Sequence, residues 1–454
     1  MSPAKDQLSV LDELIATEQR RFLERSPAAT AMAARASGSL AGGVTSSWQI
    51  SEPQPIWIER GLGPRVWDVD GNEYVDLHGG YGVMLAGHAH PAVVSAVSER
   101  VKKGTHFAQP TADAIVVAEE LTRRYGFPLW RFGNSGTEST MDAVHLMRAI
   151  TGRDLIIKFE GAYHGHHDAV MVSVWNEEGL GSASRPRSVA AGAGIPQAMV
   201  DLTLVATFND LESVRRLLDE NEDEVAGVII EPVLQNCGVL LPEPGFLAGL
   251  RELTRSRGVL LAFDEVKTGL TVGKGGATMH FGVQPDIVCL AKALGGGLPI
   301  SAIGGTEDVM RHIVDGTYDQ VGTFNGNPLS MAAARAMLTE VMNDEIYEHL
   351  DHIQNRMEKG ANEVIGRHRL EAHVATIGAK GSVIYSAEPL RTYRDFLAVD
   401  GRFARAAWLY QFNRGVFLPP WSKGEQWLVS VQHGDDEVDR YLETLDGFAT
   451  LISA

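Results

Sequence analysis

Cysteine is nearly missing: Cys237 and Cys289 are the only two in 454 residues, too few for a disulfide framework and in keeping with a reducing compartment. Basic runs are missing as well. The 58 acidic side chains outnumber the 40 Lys and Arg, giving a formal charge of -18, which argues against a phosphate-backbone footprint and against nucleic acid as a partner. Residues 77–98 carry no Asp, Glu, Lys or Arg, but His78, His88, His90, Pro91 and several glycines break up that stretch, so a membrane helix is not expected. The N-terminus, Met1-Ser2-Pro3-Ala4-Lys5-Asp6-Gln7, has neither the basic start nor the apolar core of a secretory signal. A cytoplasmic location, away from membranes, is the expectation. There is no repeat of fixed period and no low-complexity tract.

What is present is a chain long enough for two or three domains, with 44% hydrophobic and 22% charged residues, a globular and not a disordered composition. Glycine is in excess: 48 residues, roughly a tenth of the chain against a usual value of about 7%. The first 30 or so residues have helical spacing at Leu8, Leu11, Leu14 and Ile15, ending near Ser26-Pro27. Residues 56–77 read as short strands, with an Asp70-Gly71-Asn72 turn before the last. From about 110, helical stretches alternate with short apolar runs, as in a mostly parallel α/β sheet. The pattern turns helix-rich after about 335. The expected division is therefore an N-terminal arm and part of a small domain over 1–85, a large α/β domain over 86–334, and the rest of a small α+β domain over 335–454. The Gly-, Ser- and Pro-rich stretch 175–197 is expected to form a mobile lid.

Three apolar runs each stop at a polar residue: Ala226–Ile230 before Glu231, Gly258–Phe263 before Asp264, and Pro285–Ala291 before Lys292. The spacings of 33 and 28 residues match one strand-helix-strand unit, so the two acids and the amine are expected at neighbouring strand ends, where open parallel sheets bind ligands. Taken singly, Asp264 has an ordinary reading as a helix cap and Lys292 as a snorkelling lysine. Next, Phe132-Gly133-Asn134-Ser135-Gly136-Thr137-Glu138 is a glycine turn opening a helix, a candidate phosphate site with the Ser135 and Thr137 hydroxyls as extra donors. It does not have the Walker spacing, nor does Gly269–Gly276, with three residues between its first glycines and no Ser or Thr after Lys274.

Gly161-Ala162-Tyr163-His164-Gly165-His166-His167-Asp168 invites a metal reading, but adjacent His166 and His167 point to different sides of any regular element, and no HExxH or CxxC supplies further ligands. No metal is expected. Tyr163 beside a glycine-flanked His164 suits stacking on a flat ring. A phosphate clamp, a stacking aromatic, a carboxylate for a ring nitrogen and a lysine for a Schiff base together describe pyridoxal 5'-phosphate.

The order of motifs resembles the class III aminotransferases of pyridoxal phosphate fold type I, and most closely the branch containing glutamate-1-semialdehyde aminomutase. The matching segments are Trp67–Asn72, Gly87-His88-Ala89-His90-Pro91, Asn134–Glu138, Thr151–Asp154, Tyr163–His166, Glu231-Pro232, Phe263–Val266, Gly295–Gly297 and Gly322–Pro328. The resemblance implies Lys292 as the Schiff-base lysine, Asp264 on the pyridine nitrogen, Tyr163 on the ring, and Ser135, Gly136 and Thr137 around the phosphate. It also puts His164, Glu231 and Val266 among the cofactor contacts, and Thr323 on the phosphate of a neighbouring subunit. A homodimer with shared active sites follows.

One departure bears on substrate. Where the aminomutase pattern reads Gly-Gly-Val-Asn-Ser-Pro-Val-Arg, with the arginine serving the substrate carboxylate, this chain reads Gly42-Gly43-Val44-Thr45-Ser46-Ser47-Trp48-Gln49. Gln49 supplies neither charge nor a bidentate fork. The expectation is an aminotransferase acting between an amine or amino acid and a keto acid such as pyruvate; an aminomutase is the alternative, and a racemase, a decarboxylase or a non-catalytic cofactor binder stand further off. Trp48, Gln49 and Glu425 are the expected substrate residues, with Trp421 and Trp427 as further candidates for an apolar wall.

Overall fold

The computed structural model describes residues 5–420, 423 and 426–453. The chain forms two compact units, one of residues 91–348 and 390–398, the other of 1–90, 349–389 and 399–454.

The larger unit is built on seven strands: β1 Leu129–Gly133, β2 Leu155–Phe159, β3 Thr203–Ala206, β4 Val225–Ile230, β5 Leu260–Asp264, β6 Ile287–Leu290 and β7 Ser301–Gly305. Their order in the sheet is β1-β7-β6-β5-β4-β2-β3. Only β7 runs antiparallel to its neighbours. Strand β4, between β5 and β2, is buried at every position, as expected of a parallel strand covered on both faces. Helix α1, Gly136–Thr151, lays Ala143, Val144, Leu146 and Met147 on Ile156, Ala226, Ile229, Ala262 and Ile287. The approach is close: a Cβ on Gly227 would lie 2.0 Å from the Met147 sulfur. Helix α2, Phe246–Ser256, connects β4 to β5, as the spacing of its leucines indicates.

This unit continues past residue 334 to Glu348. Helix Pro328–Ala336 packs on helices Pro91–Val101 and Ala112–Tyr125, and the Arg124 guanidinium donates to the carbonyls of Leu338 and Met342 at 2.8 and 2.7 Å. Residues 390–398 join it through Arg394, which grips the buried Glu160 carboxylate with two hydrogen bonds of 3.0 and 2.7 Å, and through Tyr393, whose ring lies against Gly161.

The segment expected to be a mobile lid is a pinned hairpin, Gly181–Ser182 paired with Arg185–Pro186. Arg394 donates to the Leu180 carbonyl at 2.9 Å, Thr207 Oγ1 to that of Ala183 at 2.6 Å, and Asn176 Nδ2 to that of Ala190 at 3.0 Å. Polar composition alone does not reveal such tethers, because their partners are distant in sequence.

In the smaller unit, helices Lys5–Arg25, Gly401–Phe412 and Asp435–Ser453 enclose Leu11, Ala406, Ala407, Phe448 and Ile452. Strands Ile58–Leu62, Arg65–Asp68 and Glu73–Asp76 form an antiparallel meander, with Val416–Phe417 added in parallel. A three-stranded sheet contains His373–Ile377, Lys380–Ile384 and Trp427–Leu428. Among the described residues no helix is long and apolar enough to cross a membrane.

Candidate active site

The carboxyl ends of the strands deliver the expected residues of the larger unit to one edge of the sheet. Phe263 pairs with Ile230 and Asp264 with Cys289, so Glu231 is level with Asp264, and Lys292 follows just beyond the end of β6. Lys292 has φ +47°, a left-handed conformation uncommon for a side-chain-bearing residue. Its strand thus ends in a sharp turn, continued by left-handed Gly296 and Gly297. Burial holds the Lys292 amine below the usual lysine range, with Asp264 and Glu231 pulling the other way.

Asp264 is buried, and both its oxygens are engaged. Oδ1 accepts from the Val266 N–H at 3.0 Å, and Oδ2 lies 2.8 Å from Nδ1 of buried His164. Nε2 of that imidazole is also buried, without a hydrogen-bond partner among the described residues. Glu231, equally buried, accepts from the Tyr163 N–H at 2.9 Å, the Gln235 N–H at 3.2 Å and Asn236 Nδ2 at 3.0 and 3.1 Å. Its carboxylate therefore fixes the backbone that carries Tyr163. The Tyr163 ring stacks on Trp175, centroids 5.3 Å apart and planes inclined by 23°.

The glycine turn after β1 opens α1 with a reciprocal cap. Ser135 Oγ accepts from the Glu138 N–H at 3.3 Å, while the Glu138 carboxylate accepts from the Ser135 N–H at 2.9 Å. Thr137 Oγ1 accepts from the His166 N–H at 3.1 Å. A hydroxyl oxygen that accepts still has its proton to donate, so both hydroxyls remain usable toward an anion. A Cβ on Gly136 would come within 2.9 Å of Val266, and one on Gly165 within 2.7 Å of the Thr137 backbone. Both glycines let the chain close around the turn.

Thr323 is exposed, on a segment tied to α1: Tyr318 Oη and Gln320 Nε2 both donate to the Asp142 carboxylate, at 2.6 and 3.1 Å. Asn325 Oδ1 accepts from Asn134 Nδ2 at 3.0 Å.

The chain is matched over residues 48–395 by the family model described as Aminotransferase class-III. This chain belongs to the class III aminotransferases. It is 39% identical to a glutamate-1-semialdehyde 2,1-aminomutase of Desulfitobacterium hafniense strain Y51, over 90% of this chain and 95% of that protein. Its fold is similar to that of an omega-transaminase from Sphaerobacter thermophilus, with a TM-score of 0.90, 32% identity, and coverage of 95% of this chain and all of the other. A glutamate-1-semialdehyde aminomutase variant from Pseudomonas aeruginosa PAO1, solved in complex with PMP, also has a TM-score of 0.90, with 29% identity over 98% of this chain and 99% of that one. As a fold type I member of this family, the protein is an aminotransferase-class enzyme with pyridoxal 5'-phosphate as its cofactor.

The aminotransferase cofactor fits the residues present. It brings a dianionic phosphate, a protonatable ring nitrogen and an aldehyde, and this edge of the sheet offers a helix start with two hydroxyls, a buried carboxylate and an amine of reduced basicity. His164 Nε2 is in addition a buried polar atom unsatisfied by the protein itself. Among the described residues no group of three or more His, Cys, Asp and Glu side chains is placed to hold a metal.

The expected substrate residues belong to the smaller unit. Trp48 and Gln49 form a short helical turn, Ser47–Gln49. Trp48 packs beside Tyr81, whose hydroxyl donates to the Trp48 carbonyl at 2.9 Å. Gln49 is exposed, and its side-chain oxygen accepts from the Thr45 N–H and Oγ1 at 3.1 and 2.7 Å. Glu425 and Trp421 lie outside the described residues. Trp427 is no part of a substrate wall: it is 1% exposed, packs on Tyr441 and donates from Nε1 to Gln354 Oε1 at 2.9 Å. Trp175, stacked on Tyr163, and Asn236, bonded to Glu231, escaped the sequence reading, and neither had a local signal.

Proposed function

We propose that this enzyme transfers an amino group from an amine or amino acid to a keto acid such as pyruvate, in two half-reactions at one site. The observation that carries this reading is Gln49 in the place of the arginine that serves the substrate carboxylate in the aminomutase pattern. Its amide oxygen is already committed to Thr45. An intramolecular aminomutase is the second reading, favoured by the 39% identity to the Desulfitobacterium enzyme.

Bound pyridoxal phosphate supplies an aldehyde that condenses with amines and a ring that takes up electrons released at the substrate carbon. The chain's own groups do the rest. Lys292 Nζ would hold the cofactor through its aldehyde and, when free, would take or give a proton at the substrate carbon. Asp264 would accept the hydrogen of the ring nitrogen and keep it positively charged; His164, through its 2.8 Å contact, orients that carboxylate. Ser135, Gly136 and Thr137 bind the phosphate at the positive end of α1. Tyr163, fixed by Glu231, and Val266 enclose the ring. Thr323 reaches the phosphate of a second copy of the chain. Its segment supports this, since it displays Val321 and Phe324, 83% and 59% exposed, apolar surface that a partner subunit would cover.

A half-reaction screen tests the proposal. Holoenzyme mixed with candidate amines should pass to the aminated cofactor form, seen by absorbance, and return on addition of a keto acid. Isomerisation of glutamate-1-semialdehyde with no return by any keto acid would select the second reading.

A further inference from the structure

Tyr163 has its backbone fixed by Glu231, which accepts from its N–H at 2.9 Å. That bond does not fix the ring, because χ2 of a tyrosine is a broad torsion without sharp staggered wells. Trp175 meets the ring directly: the centroids are 5.3 Å apart and the planes are inclined by 23°, a near-parallel stack of the kind aromatic pairs favour. The indole takes one face of the phenol ring, so a flat ligand stacked on Tyr163 takes the other.

The segment that presents the indole is fixed on both flanks. Two residues before it, Ser173 has φ +51°, a left-handed conformation uncommon for a residue with a side chain. Its N–H donates to the Val189 carbonyl at 2.7 Å, and its Oγ accepts from the Val189 N–H at 3.1 Å and donates to the Arg187 carbonyl at 3.0 Å. The Ser173 carbonyl accepts from the Gly161 N–H at 2.9 Å, which ties the indole's segment to the loop of Tyr163. On the other flank, Asn176 Nδ2 donates to the Ala190 carbonyl at 3.0 Å, and the Asn176 carbonyl accepts from Tyr393 Oη at 3.0 Å. All these residues belong to the larger unit. Tryptophans that fill a core look different in this protein: Trp408 and Trp427 are 3% and 1% exposed, whereas Trp175 is 45% exposed. An indole left half in water, yet held at both neighbours, is placed for its stack on Tyr163 more than for its own burial.

We propose that Trp175 is a positioning residue for Tyr163: its stack sets the plane of the phenol ring and, through it, the tilt of the cofactor ring that Tyr163 supports. A site is precise only when the side chains that touch the ligand are themselves locked by packing, and Trp175 locks the one degree of freedom that Glu231 leaves open.

The inference rests on Tyr163 as the residue stacked on the cofactor ring. Its test compares the unaltered holoenzyme with Trp175→Phe, which keeps a ring, and Trp175→Leu, which keeps apolar bulk alone. The readouts are the visible circular dichroism per bound cofactor, which reports how the cofactor ring is held, and the cofactor dissociation constant. Trp175→Leu should weaken the dichroism and raise the dissociation constant by about two- to tenfold, the worth of one aromatic pair, while Trp175→Phe stays near the unaltered protein. In a Tyr163→Ala background Trp175→Leu should have no further effect, because Trp175 acts through that ring. Equal behaviour of Phe and Leu, a fall in thermal midpoint with unchanged dichroism, or a full Leu effect in the Tyr163→Ala background would overturn the inference. If Trp175→Leu does not fold, Trp175→Ala carries the same comparison. Tyr163→Ala alone separates the two levels: if it moves neither readout, the assignment of Tyr163 to the cofactor ring fails, whereas movement there with a silent Trp175→Leu defeats only the role of Trp175.

Discussion

His164 Nδ1 and Asp264 Oδ2 are 2.8 Å apart, a hundred residues apart in sequence, and both are buried. Strand β2 precedes the loop that carries the histidine, β5 ends in the aspartate, and β4 lies between them in the sheet. The imidazole restricts the carboxylate to one orientation, as a second group does for many catalytic acids and bases. His164→Ala should therefore weaken cofactor retention. A hydrogen bond to a charged group is worth roughly 1.5–3 kcal/mol, so the cofactor dissociation constant should rise by about one to two decades, measured by equilibrium titration of the apoprotein. Unchanged retention would show that the backbone bond from Val266 alone suffices to orient Asp264.

Asp264→Asn keeps the shape of the side chain and removes its charge. The variant should still bind cofactor through the helix start and Lys292, but lose turnover by roughly 10²- to 10³-fold, the range for removing one preorganised electrostatic partner. Near-normal kcat would contradict the electron-sink role of the ring nitrogen.

Lys292→Ala should lower turnover by about 10⁴-fold or more, since it removes both the covalent attachment and the proton carrier. Phosphate contacts should keep some cofactor bound, and borohydride should then leave no label on the protein. In the unaltered enzyme the label should map to the peptide containing Lys292. A label on the Lys274 peptide would reassign the site.

The strand ends were legible because each apolar run stopped at one polar residue and the intervals matched a strand-helix-strand unit, as at Glu231, Asp264 and Lys292. The start of α1 was legible for another local reason: the glycine turn Gly133–Gly136 stands at the head of a helical run. The pairing of His164 with Asp264 and the stacking of Trp175 on Tyr163 depend on sheet order and loop return, which no short-range pattern encodes. Trp427 misled for the same reason. Tryptophan near polar residues suits a binding wall and a core equally well, and only Tyr441 and Gln354, contributed by distant helices, decide for the core.

Gly227→Ala tests the packing that supports the site. The added Cβ would stand 2.0 Å from the Met147 sulfur and 3.0 Å from the Leu260 carbonyl, so α1 must shift or Met147 must leave its rotamer. Overpacking of this kind costs roughly 1–3 kcal/mol. A lowered thermal midpoint is expected, with partial recovery in the double variant Gly227→Ala, Met147→Ala. A stable single variant would mean that α1 adjusts without cost.

Gln49→Arg addresses the reaction itself. A substrate carboxylate facing Gln in place of Arg forgoes a charge-assisted pair worth roughly 1.5–3 kcal/mol, or one to two decades in affinity. Only the Gln49 amide nitrogen can donate to a carboxylate, and the two bonds that Thr45 gives the side-chain oxygen fix the direction in which that nitrogen points. Arginine at 49 would lose the bond from Thr45 and gain a fixed positive charge on an exposed turn. KM for amino acids with a nearby carboxylate should fall by about tenfold or more, while kcat for an uncharged amine stays within a factor of a few. Steady-state kinetics decide the matter: unchanged KM values for carboxylate-bearing amines in Gln49→Arg would remove Gln49 from the substrate site and, with it, the reason to prefer intermolecular transfer.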